Sequence, residues 1–183
     1  MNFAAMPTPA STRPADARVA RAWEVLGDVL DPEVPALSVR DLGIVREVLA
    51  RESGLEIVLT PTYSGCPATE VIERSVIDAI DAAGLGPAQV RLQRAPAWTT
   101  DWISPEGRQK LKDYGIAPPS PTGPGESLPI RFVRRSARPA EVVPCPRCGS
   151  ELTERLSAFG STACKSLYRC IACKEPFELF KSI

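Results

Sequence analysis

The chain has 183 residues, which is enough for one domain of ordinary size and a small appended unit. Its composition, 44% hydrophobic and 24% charged, is that of a water-soluble globular protein. No apolar run approaches the roughly 18 residues that a membrane-spanning helix needs. The formal net charge is zero, but residues 1–116 carry 12 basic and 16 acidic side chains, and residues 117–183 carry 10 and 6. That small basic excess, reduced further by thiolates on a metal, does not favour nucleic acid as a ligand.

The N-terminal segment 1–15 is rich in Ala, Pro, Ser and Thr. It lacks the apolar stretch with a basic flank that marks a secretory signal, so we expect a disordered tail and a cytoplasmic protein. Six cysteines in a reducing cytosol favour metal ligation over disulfides.

Residues 16–116 predict a small α/β domain. Apolar side chains recur at helical spacing between Val19 and Leu30, which indicates an amphipathic helix with Asp16 as a candidate cap. We expect Asp31-Pro32 to end it, because the residue before proline is excluded from the α region. The β-rich runs 44–50 and 55–60 predict an antiparallel hairpin.

A second helix is predicted to open at Cys66-Pro67 and to close at Gly84. The run 90–95 predicts a third strand. Ser104 followed by Pro105 is typical of the start of a helix, with serine as cap and proline at the first helical position. We expect that last short helix to end at Gly115.

Five prolines and two glycines fall in segment 117–129, which indicates a stiff, non-helical linker. Residues 130–183 then form a second unit, with a first strand predicted at 130–134. The expected fold class is α+β: helix, β-hairpin, helix, strand and helix, followed by a small β zinc ribbon.

The second unit contains two CxxC pairs, Cys145–Cys148 and Cys170–Cys173, separated by 21 residues. Each pair aims two sulfurs at one point, and two such pairs complete a tetrahedron. With no histidine in the chain, all four ligands are thiolates. Zn²⁺ is the favoured ion, and an Fe–S cluster on the same thiolates is the alternative.

An unpaired cysteine lies in the strand-to-helix turn 60–69. If Cys66 caps the following helix, the positive end of the helix dipole favours its thiolate. Thr62, Ser64 and Thr69 add hydroxyls that could bind an anion or a sulfide. The alternative is a small buried cysteine at a turn. The absence of histidine excludes a papain-like dyad, and no acid–base pair or nucleotide loop indicates an enzyme.

Further groups of residues remain open to more than one interpretation. Asp31, Glu33 and Asp41 could supply carboxylate ligands or form a solvated turn. Trp98 and Trp102 could cover the Cys66 turn, anchor an interface or pack in the core. Cys164 is expected to be a free thiol near the four-cysteine site.

The order of motifs resembles a known family. Its first part is similar to the small iron–sulfur assembly domain of bacterial and eukaryotic Fe–S accessory proteins. The motifs concerned are Asp31-Pro32-Glu33, residues 41–45 and residues 60–67. With Trp98–Trp102 and the tail segments 145–150 and 159–170, the chain resembles the PaaD family of the phenylacetyl-CoA epoxidase system. The match runs from about Ala22 to Phe180.

The resemblance implies an accessory protein for the oxygenase that epoxidises phenylacetyl-CoA in aerobic phenylacetate degradation, and no catalysis of its own. It implies help in placing iron or an Fe–S cluster in a partner, above all the flavin and Fe–S reductase. Cys66 is then the thiol that handles iron or a transient cluster. A lone thiolate leaves ligands to be supplied by a second copy of the chain, a partner or a small thiol. Two alternatives are an Fe–S electron-transfer component of the complex and a nucleic-acid-binding zinc ribbon.

Overall fold

The computed structural model describes residues 14–63, 67–120 and 142–182. The predicted cap position Cys66, the linker 121–129 and the predicted strand 130–134 therefore lie outside the described residues. Within these ranges, no helix is long and apolar enough to cross a membrane.

The first part of the chain builds a three-stranded sheet covered by helices. Its elements are α1 (Pro14–Leu26), β1 (Val45–Arg51), β2 (Gly54–Leu59), α2 (Thr69–Ala82), β3 (Ala88–Leu92) and α3 (Pro105–Tyr114). A 3₁₀ turn, Thr100–Trp102, precedes α3. The strand order is β1-β2-β3, with β1 antiparallel and β3 parallel to β2. The predicted hairpin is confirmed.

Strand β2 lies in the middle of this sheet, and its residues are almost all buried. Its first residue, Gly54, has φ +146°, and a Cβ there would meet the carbonyl oxygen of Pro87 at 2.0 Å. Glycine is therefore required where the hairpin turn meets the entry to β3. Helix α2 crosses over between the two parallel strands and buries Ile72, Val76 and Ile80 against the sheet.

Two helix boundaries differ from the predictions. Helix α1 ends at Leu26, not at Asp31-Pro32, and the amides of Gly27 and Asp28 bond back three residues in a tightened last turn. Asp16 lies inside the helix and does not cap it. Because the helix has already ended, Leu30 leaves the apolar stripe, pairs with Ser38 in an isolated bridge and is 52% exposed.

Helix α2 begins at Thr69, with Ala68 at the cap position. The prediction that Cys66 caps this helix is wrong, because Pro67 and Ala68 form a turn before the first helical residue. The other predicted ends are confirmed: Gly84 follows α2 with φ +68°, and Ser104 Oγ accepts the amide of Gly107 at the start of α3.

The C-terminal unit is a second sheet, with strand order β4-β7-β6-β5. Its strands are β4 (Ile116–Ala117), β5 (Thr153–Ser157), β6 (Lys165–Cys170) and β7 (Pro176–Phe180). Strands β5, β6 and β7 form an antiparallel meander, and β4 pairs in parallel with β7. Ile116, the last residue before the predicted linker, and Ala117, the first residue of that linker, thus add an edge strand to the ribbon.

The two sheets also share buried contacts. Phe180 and Cys164 of the ribbon belong to the apolar core of the first domain, whereas Tyr168, Phe177 and Leu179 form a small core around the paired cysteines. The ring of Phe180 lies 6.2 Å from that of Trp98, centroid to centroid. The ribbon is therefore packed against the first domain and not merely tethered to it.

Candidate metal centre and a pocket at the domain junction

The four paired cysteines converge at one end of the ribbon. The sulfurs of Cys145, Cys148, Cys170 and Cys173 all lie within 4.8 Å of one another. Cys145 and Cys173 are 3.8 Å apart, and Cys148 and Cys170 are 3.6 Å apart, sulfur to sulfur. A zinc ion with Zn–S bonds of about 2.3 Å needs sulfurs about 3.8 Å apart in a tetrahedron, so the donor set fits a structural zinc site.

Both cysteine knuckles have the same backbone shape. The residue after each pair has a positive φ, 74° at Gly149 and 68° at Lys174. The amide of each donates to the carbonyl of the first cysteine of its pair, Gly149 to Cys145 at 2.9 Å and Lys174 to Cys170 at 3.0 Å. This left-handed residue reverses the chain so that both sulfurs of a pair face the same point.

Because the four thiols lie close together, two of them have pKa values shifted in opposite directions. A hydrogen bond from the Cys173 amide, with others from neighbouring thiols, lowers the pKa of Cys170 to about 6. The Glu175 amide favours the Cys173 thiolate, but burial and hydrogen bonds with the neighbouring thiols raise the pKa of Cys173 to about 12. A cation at the centre favours all four thiolates, and binding it releases the remaining protons.

A pocket lies at the junction of the two units. It is lined by residues of the loop after α1, the end of β2, the start of α2 and the ribbon. The polar lining residues are Asp31, Glu33, Thr60, Thr62, Thr69 and Cys164. The structure thus brings Cys164 of the ribbon together with several candidates of the first domain.

Asp31 is a buried carboxylate held by its own loop. Its Oδ1 accepts the amides of Glu33 and Val34, both at 2.8 Å. Burial raises the pKa of Asp31 in spite of these bonds, and burial with the nearby Asp31 charge raises the pKa of Glu33. Lys165, which is 3% exposed, lies 3.4 Å from the Glu33 carbonyl oxygen and 3.1 Å from the Glu178 carboxylate.

Asp41 is not part of this pocket. Its Oδ2 accepts the amide and hydroxyl of Ser38 and pairs with Lys110 at 2.7 Å. Burial alone would raise the pKa of Asp41, but the bonds from Lys110 and Ser38 lower it overall. Asp41 is thus a structural link between the 38–41 turn and α3.

Cys164 lies elsewhere than predicted. It is buried in the core of the first domain and does not belong to the four-cysteine group. Its sulfur is 3.0 Å from the Thr162 hydroxyl oxygen, and burial raises the pKa of its thiol. Spacing along the chain suggested proximity to Cys170, but the extended strand β6 separates the two residues.

The two tryptophans have different surroundings. Trp98 is buried, and its Nε1 donates to the Leu42 carbonyl at 2.9 Å. Trp102 is half-buried, with the Arg46 guanidinium 3.5 Å from its ring centroid. Of the roles considered for Trp98, packing in the core is therefore the one that the structure supports. Its ring packs against Phe180, which lines the pocket. Cys66 and Ser64 lie outside the described residues, although Thr62 and Thr69 on either side of them line the pocket.

Sequence reasoning missed Thr60 and Lys165. Thr60 is 1% exposed, and its hydroxyl has no hydrogen-bond partner in the part of the chain that the structure describes. The sequence feature that could have identified Thr60 as a pocket residue is its position at the end of a predicted buried strand. Nothing in the sequence indicated that Lys165 is buried against the loop after α1.

Two family models match separate parts of this chain. Residues 20–91 match the family model of the iron–sulfur cluster assembly protein, and residues 131–181 match that of the PaaD zinc beta ribbon domain. The four-cysteine group therefore lies in a zinc-ribbon domain.

Three solved structures resemble part of this chain. A domain of unknown function from Bacillus anthracis is 25% identical, with a TM-score of 0.49 over 53% of this chain and 93% of that one. A conserved hypothetical protein from Thermotoga maritima is 29% identical, with a TM-score of 0.42 over 49% and 89%. A Mycobacterium tuberculosis protein associated with Fe–S complex assembly and repair is 31% identical, with a TM-score of 0.32 over 59% and 94%.

One curated relative matches nearly the whole chain. It is the Escherichia coli (strain K12) protein named as the D subunit of a "Putative 1,2-phenylacetyl-CoA epoxidase". Identity is 47% over 169 residues, which cover 92% of this chain and 96% of the relative. The chain belongs to the PaaD family, whose members are the D subunits of phenylacetyl-CoA epoxidase.

Proposed function

We propose that this chain is an accessory maturation protein of the multicomponent phenylacetyl-CoA epoxidase, which helps to place iron or an Fe–S cluster in a partner subunit. The observation that carries the proposal is the pocket at the junction of the assembly domain and the ribbon. Its lining combines a thiol, two carboxylates and threonine hydroxyls, which are ligands and hydrogen-bond donors suited to a metal ion.

Cys66 is the proposed cargo-handling thiol. Thr62 and Thr69, which are close to it in sequence, line the pocket, and the assembly-protein family model covers this segment. One thiolate cannot hold an Fe–S cluster alone, so a second copy of the chain or the client must supply ligands. The proposed client is the reductase that carries flavin and an Fe–S cluster.

Zinc is the proposed resident ion of the paired cysteines. The sulfur spacing fits Zn²⁺, and the four thiolates leave no open position on a tetrahedral ion. The ion would fold a unit whose own apolar core, among the described residues, is a small cluster that includes the ligands Cys145 and Cys170 themselves. We therefore propose a structural role for the ribbon, in a chain of four parts (1–15, 16–116, 117–129 and 130–183). We also propose that the chain works in the cytoplasm and does not bind nucleic acid.

The test is made in cells that depend on the epoxidase. Cys66→Ala should lower the cluster content of the purified reductase and the epoxidase activity together, while the chain itself stays folded with its zinc. Val71→Ala, at an exposed position of α2, is the matched control and should behave as the wild type. Unchanged cluster content and activity in Cys66→Ala cells would remove the proposal.

A further inference from the structure

The hairpin of β6 and β7 connects the four-cysteine group with the junction pocket. Its turn is the second cysteine knuckle: Cys170 is the last residue of β6, and its amide donates to the carbonyl of Glu175 at 3.0 Å. At the open end of the hairpin, Lys165 of β6 lies opposite Phe180 of β7. The two strands pair along their whole length, so one hairpin reaches both sites.

The open end of this hairpin forms one wall of the pocket. Cys164, which directly precedes β6, and Phe180 both line the cavity and belong to the apolar core of the first domain. The amide of Lys181 donates to the carbonyl of Cys164 at 2.9 Å, which adds one more bond between the two segments. The pocket wall is therefore held in shape by the pairing of the hairpin.

Lys165 adds an electrostatic contact at the same end. Its buried ammonium group lies 3.1 Å from the Glu178 carboxylate and 3.4 Å from the Glu33 carbonyl oxygen. The positive charge of Lys165 also favours the ionised forms of Asp31 and Glu33. The acidic loop of the pocket thus depends on a cation that the ribbon supplies, and a buried carboxylate is destabilised when its cation is removed.

The cysteine end of the hairpin determines whether its register is kept. The turn fixes the register of a hairpin, and an isolated two-stranded hairpin is only marginally stable in water. Four thiols crowd around this turn, with their sulfurs within 4.8 Å of one another, and thiolates so close repel each other unless a cation neutralises them. Metal binding at such sites therefore contributes directly to the folding of the turn. From Cys170 to Cys164 the effect has to travel about 20 Å of extended strand.

We propose that the metal-loaded state of the four cysteines controls access to the junction pocket. With the ion bound, the hairpin keeps its register, and Cys164, Lys165 and Phe180 close the pocket wall. Without the ion, the hairpin loosens from its turn and the wall opens, while the sheet of the first domain stays folded. The coupling does not depend on what the pocket takes up, and only its use in regulating cargo handling rests on the proposed function.

Packing between the two units is the competing explanation. Strand β4 pairs with β7, and the ring of Phe180 lies 6.2 Å from that of Trp98. On that explanation these contacts alone hold the pocket wall, and loss of the ion affects only the cysteine knuckles. However, β4 pairs with two residues of β7 and not with β6, the strand that Cys164 directly precedes.

Anaerobic alkylation of the full-length protein with iodoacetamide distinguishes the two explanations. The tryptic peptide 156–165 contains Cys164 and no other cysteine, so mass spectrometry measures its labelling separately. Because a buried thiol reacts only when its surroundings open, removal of zinc by a chelator should speed the labelling of Cys164 at least about tenfold. Added zinc should make it slow again. Hydrogen exchange of the β2 amides should stay the same, which separates opening of the wall from global unfolding.

Two substitutions in the second knuckle provide a matched pair. Cys173→Ser removes a ligand, and its Cys164 should label as fast as in the zinc-free wild type, with or without added zinc. Ile171→Ala changes a partly exposed residue between the two cysteines and removes no ligand, so it should keep both the zinc ion and the slow labelling.

The inference is overturned if Cys164 of the wild type stays protected after complete loss of zinc. It is also overturned if exchange of the β2 amides rises together with the labelling, because the ion would then hold the whole chain and not the pocket wall. Cys66→Ala keeps the two proposals distinct. Its Cys164 labelling should depend on zinc as in the wild type, whereas its effect on the cluster content of the reductase decides the proposed function alone.

Discussion

The four-cysteine group of the ribbon and the junction pocket are built in opposite ways. In the ribbon, four sulfurs face one point at distances that a tetrahedral ion requires, on two knuckles of the same shape. Among the described residues that line the junction pocket, one sulfur, two carboxylates and a hydroxyl without a hydrogen-bond partner surround a small cavity without converging on a common centre. A closed set of ligands fixes an ion and the fold around it.

Under the proposed function, the ribbon site provides stability and the junction pocket is the place where cargo is exchanged. The sulfurs of the ribbon lie at the spacing that a tetrahedral ion requires, whereas burial in the pocket raises the pKa values of Asp31, Glu33 and Cys164. Functional sites commonly combine groups whose pKa values are shifted by burial and by like charges. The predictions below test that assignment, beginning with the largest effect.

The largest effect is expected from loss of a paired cysteine. Cys170 is fully buried, and Cys170→Ser should take zinc from one ion per chain to none and unfold the ribbon. Structural zinc sites contribute on the order of 10 kcal/mol or more to folding. Zinc analysis together with a thermal melt measures both consequences.

Cys164→Ser is the matched control, because it removes a buried cysteine that directly precedes β6, whereas Cys170 is the last residue of β6. It should keep the zinc ion and lower stability only modestly. Equal zinc loss in both variants would contradict the separation of the two thiol groups.

Removal of the aromatic contact between the units should have the next largest effect. Phe180 is 2% exposed and packs against Trp98, so Phe180→Ala should cost about 3–5 kcal/mol in the free energy of unfolding. The exposed Phe159, which is 66% accessible, is the control, and Phe159→Ala should cost little. Similar urea midpoints for the two variants would show that the ribbon is not coupled to the first domain through Phe180.

Two aspartates should respond in opposite directions to removal of charge. Asp41→Asn loses the charge that Lys110 and Ser38 bind, so we expect a loss of about 2 kcal/mol at neutral pH. Asp31→Asn keeps an oxygen for the two loop amides and removes a buried charge, so its stability should be unchanged or higher.

The free energy of unfolding should also depend on pH in opposite ways for Asp41 and Asp31. The pKa of Asp41 is lowered on folding, so its contribution is complete above the unfolded value near 3.8 and is lost as pH falls through the folded pKa. The pKa of Asp31 is raised, so the wild type loses stability relative to Asp31→Asn as pH rises from 3.8 through the folded pKa. Urea unfolding at several pH values measures both. Parallel profiles for the two variants would contradict the contrast.

The smallest effect is expected at the two knuckles. Lys174 holds a φ of 68°, a conformation that costs a side chain about 1–2 kcal/mol relative to glycine. Lys174→Gly should therefore stabilise the zinc-loaded protein slightly, and Gly149→Ala should destabilise it by a similar amount. Chelator-resistant zinc content and melting temperature provide the measurement. A stabilising Gly149→Ala would show that the two knuckles are not equivalent.

Local patterns predicted much of the fold. Ser104-Pro105 and Gly115 marked both ends of α3, because caps depend on residues next to them in sequence. The CxxC pairs revealed the ribbon site, because the shape of each CxxC turn depends on residues that are close in sequence. The fold is needed only to bring the two turns together. The end of α1 was missed because the apolar spacing continues to Leu30 beyond the last helical turn.

The pocket could not be predicted from local patterns. It depends on how the ribbon packs against the first domain, and Cys164 and Phe180 reach the pocket through that contact alone. In sequence, Cys164 is close to Cys170 and 131 positions from Glu33, so spacing assigned it to the wrong neighbours. The burial of Lys165 follows from the same packing.

The central claim is that the paired cysteines hold structural zinc and that Cys66 handles iron. Metal analysis of the anaerobically purified full chain tests this claim most directly. We expect one zinc ion per chain in the wild type and in Cys66→Ala, with added Fe²⁺ retained by the wild type and not by Cys66→Ala. Iron retained in place of zinc, and lost with Cys170→Ser but not with Cys66→Ala, would place the iron chemistry on the paired cysteines and contradict the account.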